Sequence, residues 1–134
     1  MQPLRRDLAH GSRTAPFVRE WAFLNGNSPV DFTGASARMH VRQYEGQAGS
    51  PLISLPTVTS DILGLRFFQY RDDAVLDAIR VLIPATNLNA LPGLNQPDAG
   101  ASQIYRYDLL MTLSGQPEQQ WLFGTFTLSP GVVA

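Results

Sequence analysis

Apolar and polar residues alternate with a period of two along most of this chain. The cleanest run is Ala35 to Gln43. Ala35, Ala37, Met39 and Val41 fall on one side, and Ser36, Arg38, His40 and Arg42 on the other. Successive strand side chains point to opposite faces, so this run predicts a strand with one buried and one wet face. Ile104 to Val132 predicts the longest pair. Tyr105, Tyr107, Leu109 and Met111 share a face, Ser114-Gly115-Gln116-Pro117-Glu118 supplies turn residues, and Trp121 to Leu128 returns rich in aromatic and β-branched residues. Such a hairpin needs other strands against its apolar face, because it cannot fold alone in water.

Shorter elements fill the rest. Leu4 to Leu8 reads as a first strand broken by His10-Gly11-Ser12, and Phe17 to Leu24 as a second with Phe17, Arg19, Trp21 and Phe23 on one face. Asn25-Gly26 suits a tight hairpin turn into Asn27–Phe32, where Pro29 marks an edge or irregular strand. Glu45–Ser50 and Pro56–Asp61 read as loops around a short strand, Pro51–Leu55. Gly64–Tyr70 and Ala74–Ile83 predict another hairpin around Arg71-Asp72-Asp73. Pro84 stops it, and Thr86 to Leu91 predicts one helical turn with Thr86 as N-cap. Pro92–Ser102 is a loop rich in Gly, Pro, Asn and Asp. The expected fold is all-β: a single antiparallel β-sandwich domain over residues 1–134, with about seven or eight strands. No long crossover helix is available for an α/β fold.

Composition narrows the classes. At 134 residues the chain is long enough for one two-layer core, and a net charge of −1 gives no sign of disorder. All ten basic residues are Arg, yet they are scattered and offset by eleven acidic ones, which argues against nucleic-acid binding. With no Cys, thiol catalysis, disulfides and cysteine metal sites are excluded. The N-terminal residues lack the apolar core of a signal peptide, and no run approaches a membrane span.

Catalytic chemistry finds no foothold. There is no Gly-x-Ser-x-Gly elbow, phosphate loop or dinucleotide fingerprint. His40 sits between Arg38 and Arg42 and reads as a surface histidine, because neighbouring cations disfavour its charged form and metal binding. His10 has no second ligand at metal spacing. Asp72, Asp73 and Asp77 read as a polar hairpin tip in preference to a calcium site, which gathers six or more oxygens. Asp108, mid-strand, is expected to pair with an Arg, the alternative being a buried carboxylate with a shifted pKa that marks a site. Trp21, Trp121 and the tyrosines suit a core better than a carbohydrate-binding platform. No enzyme activity, metal or organic cofactor is expected.

Several segments then resemble a known family. Pro29-Val30-Asp31-Phe32-Thr33-Gly34-Ala35-Ser36-Ala37-Arg38-Met39-His40-Val41-Arg42 is similar to a segment near the start of small phage and prophage structural proteins. Tyr107-Asp108-Leu109-Leu110 and Gly124-Thr125-Phe126-Thr127-Leu128-Ser129-Pro130-Gly131-Val132 resemble their ends, and Ile79–Ala85 fits the strand between. The family is akin to the immunoglobulin-like N-terminal domains of phage upper-baseplate proteins. The resemblance implies a non-enzymatic virion component of tail, baseplate or neck, made in a bacterial cytoplasm and built into particles in many copies. A capsid decoration protein and a small carbohydrate-binding module are the alternatives. Other virion proteins are the expected partners, with no nucleic acid, membrane or small-molecule substrate.

The expected contact region is the Gly64–Ile83 hairpin, which is apolar on both faces. Leu65, Phe67, Val75, Ile79 and Val81 make one set, and Phe68, Tyr70, Leu76 and Leu82 the other. One set fills the core, and the other is left for a partner unless the Pro92–Ser102 loop covers it. A docking arm at residues 1–15, carrying Arg5, Arg6 and Arg13, is expected to add steering charge.

Overall fold

Strands form almost everywhere that the alternation predicts them. A computed structural model describes residues 3–25, 28–71, 75–93, 98 and 100–130, with the backbone alone for His10, Asn25 and Pro29. The strands are β1 (Leu4–Arg5), β2 (Leu8–Ser12), β3 (Phe17–Ala22), β4 (Leu24–Asn25), β5 (Ser28–Pro29), β6 (Ser36–Arg42), β7 (Ile53–Leu55), β8 (Gly64–Phe68), β9 (Ala78–Ile83), β10 (Gln103–Thr112) and β11 (Gln119–Ser129). The helix among the described residues, α1, is Ala85–Asn89, far too short to cross a membrane. A larger sheet runs β1-β11-β10-β6-β7, with β2 also on β11, and a smaller one runs β3-β9-β8. β4 and β5 pair separately, and the Asn25-Gly26 turn expected between them extends outside the described residues.

Both sheets feed one apolar core. Phe17 of β3 meets Phe126 of β11 edge-on at 5.0 Å between ring centres. Phe32, 1% exposed, lies between Phe67 of β8 at 5.1 Å and Trp121 of β11 at 5.6 Å. Arg19, the odd member of its aromatic face, lays its guanidinium over Phe17 and donates to the Ala9 carbonyl. β6 alternates as expected, with Ala37, Met39 and Val41 buried.

β11 departs from simple alternation. Leu109 pairs with Leu122 but Leu110 pairs with Gln120, so Trp121 is an extra, bulged residue. A bulge shifts the phase of the strand. It buries Trp121 and Leu122 in succession, at 4% and 2% exposure.

Three sequence expectations need correction. His10-Gly11-Ser12 does not break the first strand; these residues belong to β2, and the interruption is Arg6-Asp7. Gly11 keeps the strand close to β11, where a Cβ would come within 2.9 Å of the Thr127 carbonyl oxygen. The sheet is also not purely antiparallel, because β1 and β2 both run parallel to β11. Finally, Thr86 lies inside α1 and does not cap it. Pro84, with φ −62°, has already turned the chain, and its carbonyl accepts the Asn87 and Leu88 amides.

The N-terminal strands are thus part of the domain's larger sheet. Leu8 is 1% exposed and joins the core. Gly124 makes the close crossing with Arg6-Asp7 possible: its φ is +155°, and a Cβ there would sit 2.7 Å from the Arg6 carbonyl oxygen.

Candidate functional site

Which side chains the smaller sheet shows to solvent follows from its register. Val18 pairs with Leu82 and Leu82 with Gly64; Glu20 with Arg80 and Arg80 with Arg66; Ala22 with Ala78 and Ala78 with Phe68. Phe17, Leu65, Ile79, Val81 and Ile83 are buried on the core side. The alternate positions Val18, Glu20, Arg66, Phe68, Arg80 and Leu82 therefore form the outer face. Val18 is 50% exposed there, and Phe68 and Leu82 are half-buried. Where the strands run out into turns, Tyr70 is 66% exposed, Leu76 37% and Leu24 49%.

A charged band crosses this apolar surface. Asp61 receives Arg80 at 2.8 Å and Arg66 at 3.7 Å. Nε and Nη2 of Arg80 and Nε of Arg66 are buried without an acceptor. The face therefore carries more guanidinium donors than its acceptors satisfy.

The turn beneath Tyr70 is held by Asp77, whose side chain is 0% exposed. Its Oδ1 accepts the Tyr70 amide at 2.6 Å, and its Oδ2 the Arg71 guanidinium at 2.8 Å. Burial pushes the Asp77 carboxyl up, but these hydrogen bonds together outweigh it and hold the carboxyl below the ordinary carboxylate range. Asp72 and Asp73 lie outside the described residues, and among the described residues no three His, Asp or Glu side chains gather as a metal site.

The other predicted residues lie elsewhere. Arg5 on β1 and Arg6 just after it are exposed at the edge of the larger sheet, away from the hairpin face in the strand order. Asp7 beside them accepts the Thr125 amide at 3.0 Å, and that bond leads in holding its carboxyl low. Arg13 supplies no steering charge, because it is 3% exposed. Its guanidinium donates to the carbonyls of Leu88, Asn89, Leu91 and Pro92 and to the Tyr105 hydroxyl. These neutral acceptors tie the N-terminal segment to the end of α1. The Tyr105 hydroxyl in turn donates to Pro92, and Gly93 lies against Gln103, so this start of the Pro92–Ser102 loop packs on β10.

His40 is half-buried on the outer face of the larger sheet, in register with Asp108. Asp108 makes no ion pair with an Arg among the described residues, contrary to expectation. Arg38, the nearby cation, is drawn instead to Glu118 in a two-pronged contact at 2.7 and 2.8 Å. The aromatic residues mostly serve the core, as expected from the sequence. Trp121, Tyr105 and Tyr107 are buried, Trp21 is half-buried, and burial raises both buried phenols.

Sequence reasoning missed a second surface. A concavity of about 390 Å³ lies over β6, β10 and β11, lined by Tyr44, Arg106, Asp108, Gln120 and Phe123 among others. Those residues are up to 79 positions apart in sequence and meet only through strand register, so no local motif signals them. Neither a scan of protein-family models nor a search of characterised proteins finds a match for the chain.

Proposed function

We propose that this chain is a non-enzymatic phage virion subunit, an immunoglobulin-like β-sandwich that docks on a tail, baseplate or neck. The resemblance supplies the virion context, and two sheets sharing one core suit a sandwich. The observation that carries the docking role is the outer face of β3-β9-β8, with Val18, Tyr70, Leu76 and Leu24 exposed around it. Covering each large apolar side chain contributes roughly 1.5–3 kcal/mol, and repetition around a symmetric assembly multiplies the effect.

The test is a Val18→Asp, Tyr70→Asp double variant, placed at exposed positions so that the fold survives. The isolated protein should melt within a few degrees of wild type, while its recovery in purified particles falls severalfold. Heads and tails are then separated, and the wild-type protein should travel with tails. Wild-type recovery of the variant would refute docking through this face, and co-purification with heads would favour the decoration role.

A further inference from the structure

We propose that the concavity on the larger sheet binds a neutral, hydroxyl-rich ring, as in a unit of a glycan. Its floor is built by register. His40, Asp108 and Phe123 lie side by side across β6, β10 and β11, and Arg42 and Arg106 form the next row. Its wall is the turn after β6, Tyr44-Glu45-Gly46. That turn is held in place by Arg42, which donates to the Gln47 carbonyl at 3.1 Å and the Gly49 carbonyl at 2.8 Å. Gln47 Oε1 also accepts the Gln43 amide at 2.9 Å. The concavity's volume, about 390 Å³, falls in the range of small-ligand sites.

The lining identifies the ligand class. Among the described residues no hydrogen bond or ion pair occupies the side chains of Asp108, Arg106, His40 or Gln120. The site therefore offers a carboxylate that feels the Arg38 charge but accepts no hydrogen bond, together with an unoccupied guanidinium, imidazole and amide. Arg42 and Arg106 are balanced by Glu45 and Asp108. An anion would meet two carboxylates and a cation two guanidiniums, so net charge on the ligand is disfavoured. Adjacent hydroxyls satisfy both kinds of group, donating to Asp108 and accepting from Arg106. Tyr44, 58% exposed, and the half-buried Phe123 add aromatic surface against which the C–H face of a sugar ring packs.

The experiment is a titration of the full, ¹⁵N-labelled chain with the methyl pyranosides of glucose, galactose, mannose and N-acetylglucosamine, and separately with inorganic phosphate. At least one sugar should give saturating shifts of the Gly46, Arg106 and Gln120 amides, with a Kd of about a millimolar. Asp108→Ala should weaken binding about tenfold or more. Tyr44→Ala, on an exposed turn, should weaken it severalfold with an unchanged melting temperature. The Val18→Asp, Tyr70→Asp variant should bind as wild type, which separates this site from the docking face. No saturating shift with any sugar, or shifts with phosphate alone, would overturn the proposal.

Discussion

Arg13 shows how far one residue's role can lie from its sequence neighbours. Its guanidinium reaches acceptors 75 to 92 positions away, all of them neutral oxygens. Removing it takes a donor from the Asn89 and Leu91 carbonyls, whereas Leu88 keeps the Leu91 amide and Pro92 the Tyr105 hydroxyl, and leaving a buried acceptor unsatisfied costs about 1–3 kcal/mol. Arg13→Met should therefore lower the denaturant midpoint by an amount equal to about 1–3 kcal/mol, with an unchanged slope. Arg5→Ala and Arg6→Ala, on exposed side chains, should each change stability by less than about 0.5 kcal/mol. Equal effects at all three positions in urea unfolding would contradict this assignment. Nothing in Ser12-Arg13-Thr14 distinguishes a buried Arg from a solvated one, which is why all three read alike in the sequence. Asp108 eluded the sequence for the opposite reason. A mid-strand carboxylate suggests a paired one, but the nearby Arg38 is occupied by Glu118.

At the level of elements, legibility follows locality. β6 and β10 alternate in their own sequences, so their buried faces could be read directly. The parallel pairing of β1 and β2 with β11 could not, since it depends on the Gly11 and Gly124 close approaches to a strand more than a hundred positions away. The turn between β8 and β9 depends similarly on one buried carboxylate. Asp77 has a folded pKa below its ordinary value of 3.8, so its ionised form is the stabilising one. That stabilisation is fully present above the unfolded pKa, near 3.8, and is lost as pH falls through the lower folded pKa. Asp77→Asn should thus be less stable than wild type at pH 7, and the gap should narrow once the pH drops below 3.8. Urea midpoints measured across that range check it, and a gap independent of pH would contradict it.

For the whole molecule, the two sheets present different outer surfaces. The outer face of β3-β9-β8 mixes exposed apolar side chains with a guanidinium-rich band, while that of the larger sheet is polar and concave. The hairpin's apolar residues on both faces were visible in the sequence. The Arg66, Arg80 and Asp61 band between them was not, because it forms only when β8 and β9 pair and the preceding turn folds back. The proposed docking has the smaller sheet's outer face meet a neighbouring virion protein. Photo-crosslinking inside assembled particles tests it most directly, with a benzophenone side chain at position 70 in one protein and at position 104 in another. Both sites are open in the free domain, at 66% and 59% exposure, but Ile104 lies on the larger sheet. Docking through this face gives a crosslink to another virion protein from position 70 and none from position 104. Crosslinking from position 104 alone would contradict it.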